Sequence, residues 1–264
     1  MKYQVDHDLH IHSSLSACSN DPLQSPQRIL QYARENGLHT VCLTDHFWDE
    51  GVEGASNWYV PQDFSHISQA RPLPQEEGIR FLFGCETELN SYLTVGISRE
   101  RMEEFDFIII PTTHFHMKGY TLHLEQIQSP QTRADAWVQR LEHVLGQDLP
   151  FEKIGLAHLT CGLIAPTREE YLAVLQLLPE AEMRRLFDKA AQLGVGIELN
   201  SGDMKYGDEE ADTVLRSYRI AKDCGCKFYL GSDAHHPKSL DAAPAIFRRA
   251  VEHLDLQEDQ KFHI

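Results

Sequence analysis

Asp8-Leu9-His10-Ile11-His12 sets two histidines two residues apart, at the end of a short run that reads as a β-strand. Side chains at i and i+2 of a strand point to the same face, so this spacing aims two imidazoles at one point. Two neutral imidazoles converging in that way suit a transition-metal ion. The plainer alternative is a half-buried strand carrying two hydrogen-bonded histidines. Residues of the same chemical kind recur down the chain, at His46, Glu86, His114, His158, Asp233 and His235. Each falls at or just past the C-terminal end of a predicted strand.

The elements that must position them alternate. Strands are predicted over Tyr3–His10, His39–Thr44, Arg80–Leu89, Phe105–Pro111, Lys153–Ala157, Val195–Leu199 and Lys227–Leu230. Leu93–Ile97 reads as a hairpin partner of the third. Between the main strands lie helical stretches. The first starts at Ser25-Pro26, a cap followed by proline at the first helical position, and stops at Asn36-Gly37. Others cover Gln131–Gly146, Arg168–Leu178, Ala181–Leu193, Asp208–Cys224 and Ser239–His253. A polar loop is expected from Ser13 to Asp21. Residues 47–79 form a long irregular connection, of a length that often serves as a functional lid. Strand–helix alternation argues for a parallel sheet with crossover helices. In a barrel, the C-terminal strand ends converge on one mouth, the usual active-site face.

The 264 residues carry 40 acids against 24 bases, a formal net charge of −16, with 42% hydrophobic residues. One large domain spanning residues 1–264 with a substantial core is expected. So acidic a surface disfavours nucleic acid, while bound metal would offset part of the charge. Cys18, Cys42, Cys85, Cys161, Cys224 and Cys226 form no CxxC pair. With no apolar signal region and no membrane-length run, a reducing cytoplasmic setting and no membrane partner are the expectation.

Taken in order, Asp8-Leu9-His10-Ile11-His12, Thr44-Asp45-His46, Gly84-Cys85-Glu86, His114, His158 and Ser232-Asp233-Ala234-His235 resemble the motif series of the polymerase and histidinol phosphatase (PHP) superfamily. D-x-H-x-H and S-D-A-H are the most specific parts, and the match runs along nearly the whole chain. The resemblance implies an α/β fold, a distorted seven-stranded (β/α)7 TIM-like barrel. It implies two or three divalent metal ions, zinc, manganese or iron, hydrolysing a small phosphorylated substrate through a metal-bridging hydroxide. It assigns His10, His12, Glu86 and Asp233 to one metal. Glu86 would bridge to a second held by His114 and His158, with His46 and His235 holding a third. Glu86, Asp233 and His235 become the catalytic residues. Where family members often place His or Asp six residues after the second motif histidine, this chain has Cys18, a competent zinc ligand or a loop thiol of no consequence.

His116 is expected to touch substrate. Phosphate esters also want a basic clamp, for which Lys118, Arg133, Arg168, Lys205 and Lys238 are candidates, Arg168 and Lys205 foremost; each could equally be a solvated surface charge. Asp8 and Asp45 flank motif histidines and are expected to accept an imidazole N–H. Glu198 and Asn200 resemble the superfamily's E-x-N, with either an interior hydrogen-bonding or a direct site role. Histidinol phosphatases tend to continue that segment with an Arg-Lys pair; here Asn200-Ser201-Gly202-Asp203-Met204-Lys205 keeps only the lysine. Histidinol phosphate and nucleotides lead the candidate substrates. A metal-dependent amidohydrolase also begins with His-x-His, but usually needs a carboxylated lysine at a strand end, and none stands at such a place. A non-catalytic metal-binding regulatory protein is the third reading. No G-x-S-x-G elbow or Walker loop suggests a protein nucleophile.

Overall fold

The computed structural model describes residues 1–19 and 21–264. Asn20, inside the expected polar loop, lies outside the described residues. Seven parallel strands form one sheet in sequential order: β1 (His7–Ile11), β2 (Thr40–Leu43), β3 (Arg80–Glu86), β4 (Phe107–Pro111), β5 (Ile154–Ala157), β6 (Gly196–Asn200) and β7 (Lys227–Gly231). The sheet curls into a nearly closed barrel with helices outside. At the seam, the Asp233 N–H donates to the His10 carbonyl (2.7 Å) and the His12 N–H to that of Ala234 (3.1 Å). The register of β1 against β2 slips between Asp8 and Ile11, beside the paired histidines.

Each strand is short and buried on both faces, which is why its sequence reads as a nearly continuous apolar run. On β4, Phe107 and Ile109 point into the barrel with Leu9, Leu82 and Tyr229. Ile108 and Ile110 point outward, to the layer shared with Trp137 and Phe187 of the surrounding helices. Phe262 closes the interior from the N-terminal end of the strands, its N–H bonded to the Phe228 carbonyl (2.8 Å). The interior near that end is therefore apolar, with Asp6, His7 and Lys261 paired at its rim, and the motif histidines and acids stand at the C-terminal end.

The helix signals in the sequence hold. Ser25 Oγ caps Pro26–Asn36 by accepting the Arg28 N–H (3.3 Å), and Gly37 ends it at φ 66°. Two expectations change. β1 starts at His7, because Tyr3 is drawn away to bond the Leu256 carbonyl (3.2 Å). Leu93–Ile97 supplies only a single bridge, Val95 to Leu89. The connection over residues 47–79 is a packed wall. Trp48 is buried, its N–H bonds the Gln62 carbonyl (3.1 Å), and Gln62 Oε1 accepts the Ala17 N–H (2.8 Å). Among the described residues, no helix is long and apolar enough to cross a membrane.

Gly155 on β5 faces the filled interior. A Cβ there would lie 2.5 Å from both Phe107 Cζ and the Tyr229 hydroxyl. Gly155→Ala is expected to destabilise the protein by about 1–3 kcal/mol through overpacking, read as a lower urea midpoint. An unchanged midpoint would show that the interior rings have room to move.

Candidate metal centre

Every motif histidine and acid stands at the polar mouth. β1 ends in His10 and Ile11, with His12 one step beyond. β3 ends on Glu86, and His46, His114, His158, Asp233 and His235 follow other strands. His158 (φ 40°) and Asp233 (φ 51°) take left-handed backbone conformations, unusual for residues with a side chain. The chain there bends sharply out of its strand, a local strain of the kind found at functional sites.

The hydrogen bonds fix which nitrogen of each ring faces the centre. His10 Nδ1 lies 2.6 Å from Glu198 Oε1, and His114 Nδ1 lies 2.8 Å from Glu88 Oε2. An ionised carboxylate only accepts, so Nδ1 carries a proton in both, and in the neutral ring that a metal takes Nε2 is the free nitrogen. His235 Nδ1 donates likewise to the Asp233 carbonyl (2.9 Å). His12 Nδ1 meets Ser16 Oγ at 2.9 Å, and that hydroxyl gives its own proton to Asp45 Oδ1 (2.7 Å). Ser16 can then only accept from His12, so Nδ1 carries the proton there and Nε2 faces the centre.

The inner ring nitrogens face one another. His10 Nε2 and His12 Nε2 are 3.0 Å apart. Glu86 Oε2 lies 3.5 Å from the first and 3.3 Å from the second, and Asp233 Oδ1 lies 3.6 and 3.2 Å from them. Four electron-rich atoms at this spacing, in a buried place, need positive charge among them. Glu86 Oε1 turns the other way, 3.0 Å from His158 Nε2 and 3.9 Å from His114 Nε2. Its Oε2 has no hydrogen-bond partner, although fully buried, and neither has Nδ1 of His46, 2.9 Å away. Donor atoms also cluster within 4.8 Å of one another in His12–His46–His235 and in Glu86–His114–His158. Imidazoles and carboxylates grouped in this way fit divalent zinc, manganese or iron.

The electrostatics agree. Burial alone would raise the Glu86 carboxyl; the imidazoles of His46 and His10 outweigh it and hold it well below its usual range. Burial would lower His158, but the bond to Glu86 outweighs it and lifts the ring to about 9. At His235, burial and the neighbouring His12 win, pushing it down to about 3. The acids thus favour protons on His10, His12 and His158, while burial and neighbouring rings disfavour them on His46 and His235.

Other side chains expected at the site stand outside this donor cluster. Asp8 touches no imidazole: it accepts the N–H of Ser232 (2.9 Å) and of His10 (3.3 Å) and the Tyr32 hydroxyl (3.1 Å), so it pins the seam. Asp45 acts through Ser16. The acceptors that orient rings directly are Glu198 and Glu88. Glu88 had a legible signal, since it sits two residues beyond Glu86. Cys18 is an exposed thiol lining the mouth, but it joins none of the compact donor groups. Desolvation, Glu86 and Asp233 push that thiol up to about 12. Arg168 is held outside by Glu210 (2.9 and 2.5 Å), and Lys205 is exposed; neither lines the mouth. Arg133 is spent on the carbonyls of Ile127 (2.6 Å) and Ile164 (3.5 Å). His116 does line the mouth; desolvation and the adjacent His114 lower it to about 4, so it is neutral at physiological pH.

The PHP domain family model matches residues 8–202. The chain belongs to the PHP family. The matched span holds His10 through Asn200, and β7 with Asp233 and His235 lies beyond it. No curated protein sequence matches this PHP chain. Among solved structures, it resembles histidinol phosphate phosphatase from Lactococcus lactis subsp. lactis Il1403, crystallised with zinc, L-histidinol and phosphate. The identity is 17% and the TM-score 0.65, over 98% of this chain and 99% of that one. At that identity the likeness is one of fold.

Glu198 accepts from three donors, His10 Nδ1, the His158 N–H (2.8 Å) and Asn200 Nδ2 (3.1 Å). Gly231 makes room for it, since a Cβ there would stand 1.9 Å from Glu198 Oε1. Glu198→Gln leaves one acceptor oxygen for these donors. It is expected to weaken zinc binding by about 10–100-fold in a chelator competition, with an unchanged circular dichroism spectrum. Wild-type affinity would remove Glu198 from this role.

Proposed function

We propose that this PHP chain is a metal-dependent phosphoesterase acting on a small phosphate ester. The carrying observation is the convergence of the His10 and His12 Nε2 atoms with Glu86 and Asp233, a donor set that suits a divalent cation. His10, His12, Glu86 and Asp233 would hold one ion, and Glu86 with His114 and His158 a second. His46 and His235, grouped with His12, would hold a third, with Cys18 at most an outer contributor. Bound divalent cations supply a water acidified towards neutrality and positive charge for the phosphoryl oxygens.

The chain's own residues supply position. Glu198, Glu88 and the Ser16–Asp45 pair keep protons on the outer ring nitrogens, so the inner ones stay free to coordinate. Glu86 offers an oxygen to each side and fixes the spacing of the two halves. His116, a neutral imidazole outside the donor groups, can give one hydrogen bond to a substrate oxygen and accept one from a hydroxyl. Family membership supports the phosphoesterase class, and the metal-bearing histidinol phosphate phosphatase of the same fold agrees with it. Histidinol phosphate and nucleotides are the first substrates to try. An amidohydrolase gains no support, since no lysine lines the mouth among the described residues.

The test is hydrolysis of a phosphate-ester panel by protein loaded with zinc, manganese or iron, alongside metal analysis. His10→Ala is expected to lose stoichiometric metal and to drop kcat/KM by more than about 100-fold, beyond the cost of losing a supporting partner. Stoichiometric metal with no activity on any ester would refute the phosphoesterase reading, and full activity in His10→Ala would refute the ligand assignment.

A further inference from the structure

The mouth opens into a cavity of about 430 Å³, within the range of small-molecule sites. Part of its wall is the donor cluster. The rest is largely apolar: Trp58, Tyr59, Met117 and Leu163. Trp58 is half-buried, 5.1 Å edge-on to His46 and 4.7 Å from Tyr59, so its ring is held by the neighbours on one side. Tyr59 is locked underneath, its hydroxyl donated to Glu88 (3.3 Å). Leu163 is 44% exposed at the rim.

Charge restricts this wall further. Among the described residues, no lysine or arginine lines the cavity, while Glu86 and Asp233 do. The nearby arginines are committed elsewhere. Arg140 is spent on main-chain carbonyls, those of Thr112, Thr121 and Leu89 among them, and Arg168 on Glu210. Cations at the donor cluster would neutralise one phosphoryl group and its developing charge. A second phosphate or a carboxylate on the same substrate would meet apolar carbon with no counter-charge, and would lose its hydration there. A flat ring would instead cover Trp58, Met117 and Leu163, gaining apolar burial and stacking.

We propose that the cavity selects phosphate monoesters whose alcohol half presents a flat apolar or aromatic face and carries no second anion, with Trp58 as a specificity-determining residue. This rests on the phosphoesterase reading of the same site. Nucleoside di- and triphosphates and sugar bisphosphates are thereby disfavoured.

The experiment compares kcat/KM of the metal-loaded protein for benzyl phosphate, glycerol 3-phosphate and 4-carboxybenzyl phosphate. Calorimetry of benzylphosphonate against methylphosphonate gives a readout independent of turnover. Benzyl phosphate is expected to exceed the other two by about tenfold or more, and benzylphosphonate to bind tighter than methylphosphonate by a similar factor. Trp58→Ala should collapse the benzyl-to-methyl ratio toward one. Leu163→Arg, at an exposed position that the fold tolerates, should raise the acceptance of 4-carboxybenzyl phosphate relative to benzyl phosphate. If esters are hydrolysed but glycerol 3-phosphate or the carboxylated ester is equal or better, the selectivity proposal is overturned while the phosphoesterase reading stands. If no ester is hydrolysed yet benzylphosphonate binds in a Trp58-dependent way, the apolar site stands and the phosphoesterase reading fails. Equal phosphonate affinities overturn the proposal whatever the activity.

Discussion

The structure depends on a buried carboxylate that cannot be left alone. Glu86 is inaccessible to solvent, and one of its oxygens has no hydrogen-bond donor. An isolated carboxylate in such a place would neutralise or disrupt the fold. Here five imidazoles approach it within 3.9 Å, from His10, His12, His46, His114 and His158. Those rings come from four other strand ends, so the charge of one side chain holds most of the barrel mouth in register. The same arrangement crowds imidazole nitrogens and carboxylate oxygens around one point, a place that favours positive charge.

A second ring of groups makes the first one specific. Glu198 on β6 and Glu88 just past β3 each sit two residues from another polar site residue, Asn200 and Glu86, and each bonds an imidazole from another part of the barrel mouth. Ser16 and Asp45 do the same for His12. Without these acceptors an imidazole could carry its proton on either nitrogen. Three buried acids, Glu198, Glu88 and Asp45, thus serve to orient imidazoles. Among the described residues no lysine or arginine lines the mouth, and the buried Arg133 and Arg140 serve main-chain carbonyls.

The two ends of the barrel divide the work. At the N-terminal end Phe262, Phe107 and Tyr229 fill the interior and keep the strands apart at a fixed spacing. At the C-terminal end the interior is polar and is bounded by the wall built from residues 47–79. Trp48 and Tyr59 bury that connection, so the aromatic surface presented by Trp58 is part of the scaffold.

Much of this was legible in the chain itself. Alternating apolar runs and capped helices indicated a parallel β/α fold, because burial on both faces and helix ends leave local marks such as Phe105–Pro111 and Ser25-Pro26. His10 and His12 announced their convergence through a two-residue spacing, and Glu86, His114, His158, Asp233 and His235 through their place at strand ends. What no local pattern could reveal was which atoms meet across the barrel. Asp8 flanks His10 yet bonds β7, while Glu198, far away in sequence, orients His10. Arg168 and Lys205 follow strands as a phosphate clamp should, yet Glu210 claims the first and solvent the second. Trp58 looked like one more residue in a long loop. Such pairings depend on the curvature and register of the closed sheet, which bring together residues separated by most of the chain, and only the tertiary structure decides them.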